Sequence, residues 1–161
     1  MQMPAKVFIC YSHEDVAVKT ELVTCLAPLT RMPEPILTWH DEQIKHSDPW
    51  QERIEKELCE ADAAILLISP EFYASDFIDK VELPKIQEKR GGHGFRVYPI
   101  LTRSTFIPPG TWLSRLEMRP KEKGKLIPLS GLTKNRREKF YVEFCETLAS
   151  AAPTYITETV V

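Results

Sequence analysis

The residue of this chain whose surroundings best suit chemistry is Glu82, a carboxylate flanked by Val81 and Leu83. On a helix, Ser75, Ile78 and Glu82 recur at helical spacing and therefore share one face. A carboxylate beside apolar and hydroxyl groups is poorly solvated, so its ionised form requires hydrogen-bond donors or a cation. The pattern predicts an acid that can stabilise positive charge. The alternative is a solvated acid on a helix surface.

The elements that must position Glu82 follow an alternating pattern of strands and helices. Short apolar, β-rich runs predict strands at residues 7–11, 36–40, 63–68 and 96–101, with a further edge strand at 126–129. Helical periodicity fills the intervals, and the last helix is predicted over 134–149. This order predicts an α/β fold: a doubly wound, mostly parallel five-stranded sheet with helices on both faces. Pro84 should restart the helix just after Glu82 because proline lacks an N–H group.

A substrate site is expected where the strand order reverses next to the first strand, at the carboxyl ends of the strands. The loops after strands one and three border that crevice, and the polar loop of residues 41–49 can fold over it. Besides Glu82, such a site would be lined by the aromatic side chains Trp50, Tyr73 and Phe77 and by the hydroxyl groups of Ser12, Ser69 and Ser75.

Size and composition limit the possible functions. The 161 residues fit one domain, which we place at residues 1–152, with 153–161 as a tail or linker. A formal net charge of −2 argues against a nucleic-acid binder, and no apolar stretch is long enough to cross a bilayer. Four widely spaced cysteines (Cys10, Cys25, Cys59 and Cys145) are expected to be reduced and buried, which suggests a cytoplasmic protein.

Several other chemistries lack their motifs. The sequence contains neither the glycine-rich dinucleotide fingerprint nor a P-loop, and no serine lies in a nucleophile-elbow context. The four histidines show no metal-ligand spacing, so no metal site is predicted.

The ordered set of motifs resembles a bacterial-type Toll/interleukin-1 receptor (TIR) domain. Segment 7–15 is similar to the first box of that family, and segment 39–44 with Trp50 is similar to the second box and its BB loop. Further similar segments are residues 61–69, 75–78, 82–84, 112–116 and 126–129.

The resemblance implies a flavodoxin-like sheet and, for many bacterial members, cleavage of NAD+ at the nicotinamide–ribose bond. The catalytic glutamate of the family falls on Glu82, Ser12 and His13 would line the nucleotide path, and Trp50 would lie near the substrate. NAD+ is then the substrate, and no separate cofactor is implied. The chain departs from the family pattern at Ser47, where glycine is common, and at Ile78, where tryptophan is frequent.

TIR domains also assemble, and the resemblance assigns that role to the BB loop, here Asp41, Ile44 and Ser47. The leading hypothesis is therefore an NAD+ hydrolase, activated by self-assembly and used in antiphage defence, innate immunity or cell-death signalling. Its product would be ADP-ribose or a cyclic form of it. The alternatives are a non-catalytic TIR adaptor that acts through TIR–TIR contacts and a nucleotide-binding or response-regulator-like domain. Expected partners are NAD+, further copies of the chain and further domains of a longer chain, with no nucleic acid and no membrane.

Overall fold

The central element is a four-stranded parallel sheet, seen in a computed structural model that describes residues 5–41, 49–92 and 94–157, with 152–157 by backbone alone. The strands are β1 (Ala5–Cys10), β2 (Ile36–Trp39), β3 (Ala63–Ile68) and β4 (Arg96–Leu101), in the order β2-β1-β3-β4. All residues of β3 are buried, as expected for a central strand covered on both faces. The strand order reverses beside β1, as predicted.

In the described residues, five α-helices cover the two faces of the sheet: α1 (Val16–Leu26), α2 (Trp50–Glu60), α3 (Pro70–Ala74), α4 (Leu83–Arg90) and α5 (Lys134–Thr157). Helices α1 and α5 pack with Val7 and Ile9 on one face. Helices α2, α3 and α4 pack with Phe8 and Cys10 on the other face. Because side chains alternate along a strand, β1 contributes to both cores.

The edge of the sheet differs from the expected fifth strand. Residues Lys121–Glu122 (β5) and Lys125–Leu126 (β6) form a separate antiparallel pair, and Leu129–Gly131 is a 3₁₀ turn. Beside β4, a single parallel bridge takes the place of a strand: the Leu101 N–H donates to the Arg119 carbonyl at 2.8 Å. The predicted strand does not form because Leu126 pairs with Lys121 and the Ile127 N–H donates to the Pro120 carbonyl at 3.0 Å, so the segment bonds away from β4.

Helix α5 extends to Thr157, beyond the predicted end at residue 149. The division between domain and tail at residue 152 stays a prediction. All four cysteines are free, as predicted; Cys10 is buried, but Cys59 is exposed. In the described part of the chain, no helix combines the length and apolar character that a membrane span requires.

Candidate active site at the carboxyl edge of the sheet

Glu82 lies at the end of a π-helical turn, Ile78–Glu82, which leads directly into α4. The Leu83 N–H donates to the carbonyl of Ile78, five residues back, and the α-helix resumes at Leu83. Pro84 explains this change, because it cannot donate to the carbonyl four residues before it. The sequence thus predicted the restart after Glu82. The π turn itself was not predicted; such turns are frequent at functional sites.

The π turn forms one side of a cavity of about 250 Å³ at the carboxyl ends of β1 and β2. The segment after β1, the second residue after β2, the start of α2 and the π turn with the residues just before it all contribute to the cavity. Its lining residues are Tyr11, Ser12, His13, Glu14, Asp41, Trp50, Ser75, Phe77, Ile78 and Glu82. The structure therefore brings together six of the eight residues predicted to line the site, all except Ser69 and Tyr73.

Glu82 is 5% exposed, and burial raises the pKa of its carboxyl from 4.5 to about 7. The buried Cys10 thiol donates a hydrogen bond to Oε2 at 3.0 Å, which opposes that rise. The negative charge of Asp41 raises the pKa of Glu82 further, and His13 lowers it. A carboxyl with a pKa near neutrality changes its charge in the physiological range.

Asp41 is held at the mouth of the cavity by two residues that follow β1. The Tyr11 hydroxyl donates to Oδ1 of Asp41 at 2.7 Å, and Nε2 of His13 lies 2.6 Å from Oδ2. His13 itself is exposed, with 71% of its side chain accessible. These two contacts hold the side chain of Asp41, the first residue of the predicted polar loop 41–49.

An aromatic wall stands opposite the carboxylate. The rings of Trp50 and Phe77 lie 4.2 Å apart between centroids and are inclined by 40°. Phe77 is partly buried, while Trp50 is 40% exposed, so the pair presents ring surface to the cavity. This arrangement can exclude water and position a flat ring.

Two of the predicted serines have local structural roles as well as facing the cavity. Ser75 Oγ accepts a hydrogen bond from the Ile78 N–H at 3.3 Å and so caps the short helical turn at residues 76–77 that leads into the π turn. Ser12 Oγ accepts from the Glu14 N–H at 3.3 Å.

Ser69 does not line the cavity. Its fully buried hydroxyl donates to Asp15 and accepts from the Phe72 N–H at 3.0 Å, which caps α3. Tyr73 is also absent from the lining. Of the predicted assembly residues, Asp41 lies at the cavity mouth, and Ile44 and Ser47 lie outside the described residues.

Ser69 belongs to a second polar cluster at the same edge of the sheet, here called the Arg103 network (Asp15, Ser69, Glu71 and Arg103). The Arg103 guanidinium donates to Oδ1 of the buried Asp15 at 3.0 Å and also pairs with Glu71. This network was not predicted from the sequence, since its members come from three segments that are far apart along the chain.

The sequence analysis also missed Cys10 and Tyr11 as neighbours of the site. A signal was present: the alternation along β1 places Cys10 on the same side as the α2–α4 layer, which carries Glu82. In the described ranges, no cluster of three metal-ligating side chains is found.

The fold and site define a flavodoxin-like α/β domain with a cavity where its strand order reverses. The model of the TIR domain family matches residues 7–124, and the chain belongs to that family.

A curated relative and two solved structures are similar to the chain. An uncharacterized protein of Sinorhizobium fredii, y4lF, is 32% identical over 102 residues, which are 63% of this chain and 31% of that protein. The chain thus spans about a third of the length of that relative.

The TIR domain of the Toll-related receptor TRR-2 from Hydra magnipapillata superposes with a TM-score of 0.52 and 20% identity, over 70% of this chain and 80% of that one. A chain of the RPS4 and RRS1 TIR domain heterodimer gives a TM-score of 0.55 and 15% identity, over 93% of this chain and 99% of that one. At these identities the likeness concerns the fold.

Proposed function

We propose that this TIR domain cleaves NAD+ at the nicotinamide–ribose bond. The observation that carries the proposal is the buried Glu82 carboxylate, which faces a cavity walled by Trp50 and Phe77. NAD+ is the substrate in this proposal, and the reaction uses no separate cofactor or metal.

The chemistry needs only one carboxylate. The nicotinamide ring carries a positive charge in NAD+ and leaves the ribose as a neutral molecule, taking the electron pair of the broken bond. No acid has to protonate it, unlike the leaving group of an ordinary glycoside. Positive charge then develops on the ribose. A preorganised carboxylate in a water-poor site stabilises that charge without reorganising, and this is the role we assign to Glu82.

The size of the cavity suggests which part of the substrate enters. Small-molecule sites commonly measure about 300–1,000 Å³, and a cavity of about 250 Å³ suits the nicotinamide–ribose end of the dinucleotide. The rings of Trp50 and Phe77 would position nicotinamide. The rest of the bound NAD+ would extend out of the cavity past Ser12 and His13. Capture of the ribosyl cation by water gives ADP-ribose, and capture by the adenine gives a cyclic product.

Self-assembly is part of the proposal. The RPS4 and RRS1 TIR domains form a heterodimer, which supports pairing between domains of this fold. We place the contact at the BB loop through Asp41, Ile44 and Ser47, and the biological role in defence or cell-death signalling. The rate of NAD+ cleavage should then increase more than in proportion to the protein concentration.

A second candidate is a TIR adaptor that only nucleates TIR–TIR contacts. It is favoured by Ile78, which lines the cavity where catalytic members of the family frequently carry tryptophan. Against it, Phe77 lies one residue earlier and supplies an aromatic ring to the same cavity.

The deciding experiment follows nicotinamide release from NAD+ by concentrated protein and by two variants. Glu82→Gln removes the charge from the cavity and should lower the rate by roughly a hundredfold or more. Glu88→Gln is the matched control, because Glu88 lies on the adjoining helix α4 with 74% of its side chain exposed. The control should retain the wild-type rate.

Absence of nicotinamide release at every protein concentration, with and without a crowding agent, would favour the adaptor. Equal rates for Glu82→Gln and wild type would remove Glu82 from the mechanism.

A further inference from the structure

The side chain that holds the Glu82 carboxylate is Cys10, the last residue of β1. Phe8 and Cys10 point into the core formed with α2, α3 and α4, whereas Val7 and Ile9 point to the opposite face. Cys10 is fully buried, and its Sγ lies 3.0 Å from Oε2 of Glu82. The contact joins residues far apart in sequence, one at a strand end and one in the π turn.

We propose that Cys10 is a positioning residue for the reaction: its thiol donates a hydrogen bond to Oε2 and fixes the Glu82 carboxylate in the wall of the cavity. This inference rests on the proposed function for its catalytic meaning. The contact itself is independent of that function.

The direction of the hydrogen bond follows from the protonation state of the thiol. Burial, and then the nearby Glu82 charge, raise the pKa of Cys10 well above 9.0. Cys10 is therefore a neutral S–H group at neutral pH, and the carboxylate oxygen is the acceptor. The same pKa makes Cys10 a poor nucleophile, which argues for a positioning role and against a covalent one.

A thiol is a weak donor, and that property suits the site. A carboxylate that accepts strong hydrogen bonds acquires a low pKa and is stabilised before any substrate arrives. The S–H group orients Glu82 but leaves most of its charge uncompensated. The carboxylate then interacts most strongly with the positive charge that develops on the ribose.

The test compares Cys10→Ala with Cys10→Ser, two small side chains that differ by one hydroxyl donor. The titration of the Glu82 side-chain carboxyl is followed by ¹³C NMR and assigned by its loss in Glu82→Gln. In Cys10→Ala the midpoint should lie roughly one pH unit above wild type, because the ionised form loses a donor. In Cys10→Ser it should lie at or below the wild-type value. Equal midpoints in the alanine and serine variants would overturn the inference.

A second measurement follows the thiol in the wild-type protein, with a variant needed only to assign the band. The infrared S–H stretch of Cys10, identified by its loss in Cys10→Ser, should shift as Glu82 ionises. A band that stays constant from about pH 5 to about pH 9 would show that the thiol does not donate to this carboxylate.

The catalytic part of the inference has its own readout. If the ionised carboxylate is the active form, Cys10→Ala should shift the pH–rate profile of nicotinamide release upward by the same interval as the NMR midpoint, and Cys10→Ser should reverse that shift. Failure of the proposed function is distinguishable: no variant would release nicotinamide, while the two NMR midpoints would still differ. A rate profile unchanged in Cys10→Ala, with activity present, contradicts the positioning role.

Discussion

The Arg103 network and the cavity lie at the same edge of the sheet, yet the pKa values of their carboxyl groups shift in opposite directions. The contact with Arg103 lowers the pKa of Glu71, whereas burial raises the pKa of Glu82 to about 7. A fixed guanidinium pairs with both acids of the network, while Glu82 receives a thiol. Glu71, with 37% of its side chain exposed, differs from Glu82 first in burial and second in its pairing with a guanidinium. These two differences together separate an acid that stays ionised from one whose charge changes near neutral pH.

The largest effect should come from breaking the Arg103 network. Arg103→Met leaves the buried Asp15 without its cation, and removing one partner of such a pair should lower the free energy of unfolding by about 3 kcal/mol. Urea unfolding measures the loss. The control is Arg53→Met, whose partner Glu57 lies four residues along the same helix and is less buried than Asp15, with 11% of its side chain exposed against 2%. Pairs of this kind within a helix contribute about 0.5 kcal/mol, so the control should cost less than about 1 kcal/mol. Equal losses would mean that the network does not stabilise the fold.

The next effect concerns the stability of the cavity side. Because the pKa of Glu82 is raised by folding, the folded state holds the proton more tightly, and stability falls as pH rises from 4.5 through about 7. Glu82→Gln removes the cost of burying an ionised carboxylate, so the variant should gain stability at high pH. The increase from 4.5 to about 7 sets a limit of about 3 kcal/mol, and the cost of burying an amide reduces the expected gain to about 2 kcal/mol.

Thermal or urea unfolding at several pH values checks this sign. The variant should match or fall below wild type near pH 4.5 and exceed it at pH 8. If wild type is more stable than Glu82→Gln at pH 8, the claim that burial raises the pKa of Glu82 is contradicted.

The smallest effect should separate binding from stability. Trp50→Ala removes one ring of the aromatic wall and should raise the KM for NAD+ by about tenfold, the usual worth of an aromatic contact. Its unfolding free energy should change by less than about 1 kcal/mol, since Trp50 is 40% exposed. Phe106→Ala is the aromatic control, because Phe106 is 80% exposed and lies outside the cavity. If both variants change the KM equally, the rings of Trp50 and Phe77 do not contribute to NAD+ binding.

The parallel sheet, the reversal of strand order beside β1 and the helix restart after Glu82 were predicted from the sequence. The first two follow from the pattern of strands and helices, and the restart follows from Pro84. Spacing along one helix placed Ser75, Ile78 and Glu82 together, and the cavity contains all three. Local patterns carry this information, so no tertiary knowledge was needed.

The remainder depends on contacts between distant segments. Ser69 follows β3 as predicted, yet its hydroxyl turns to Asp15 and α3 and not to the cavity. The Cys10–Glu82 contact was equally hidden, since it requires the register of β1 against the π turn. The fifth strand was wrong because a hairpin and a single bridge at Arg119 complete the edge of the sheet.

The ¹³C NMR titration of the Glu82 carboxyl in the wild-type protein tests the central claim most directly. Because burial raises the pKa of its carboxyl, Glu82 should titrate near pH 7. In the same spectra Glu71, paired with Arg103, should titrate below 4.5. If both carboxyls titrate together near 4.5, Glu82 is an ordinary solvated acid, and the proposed chemistry loses its basis.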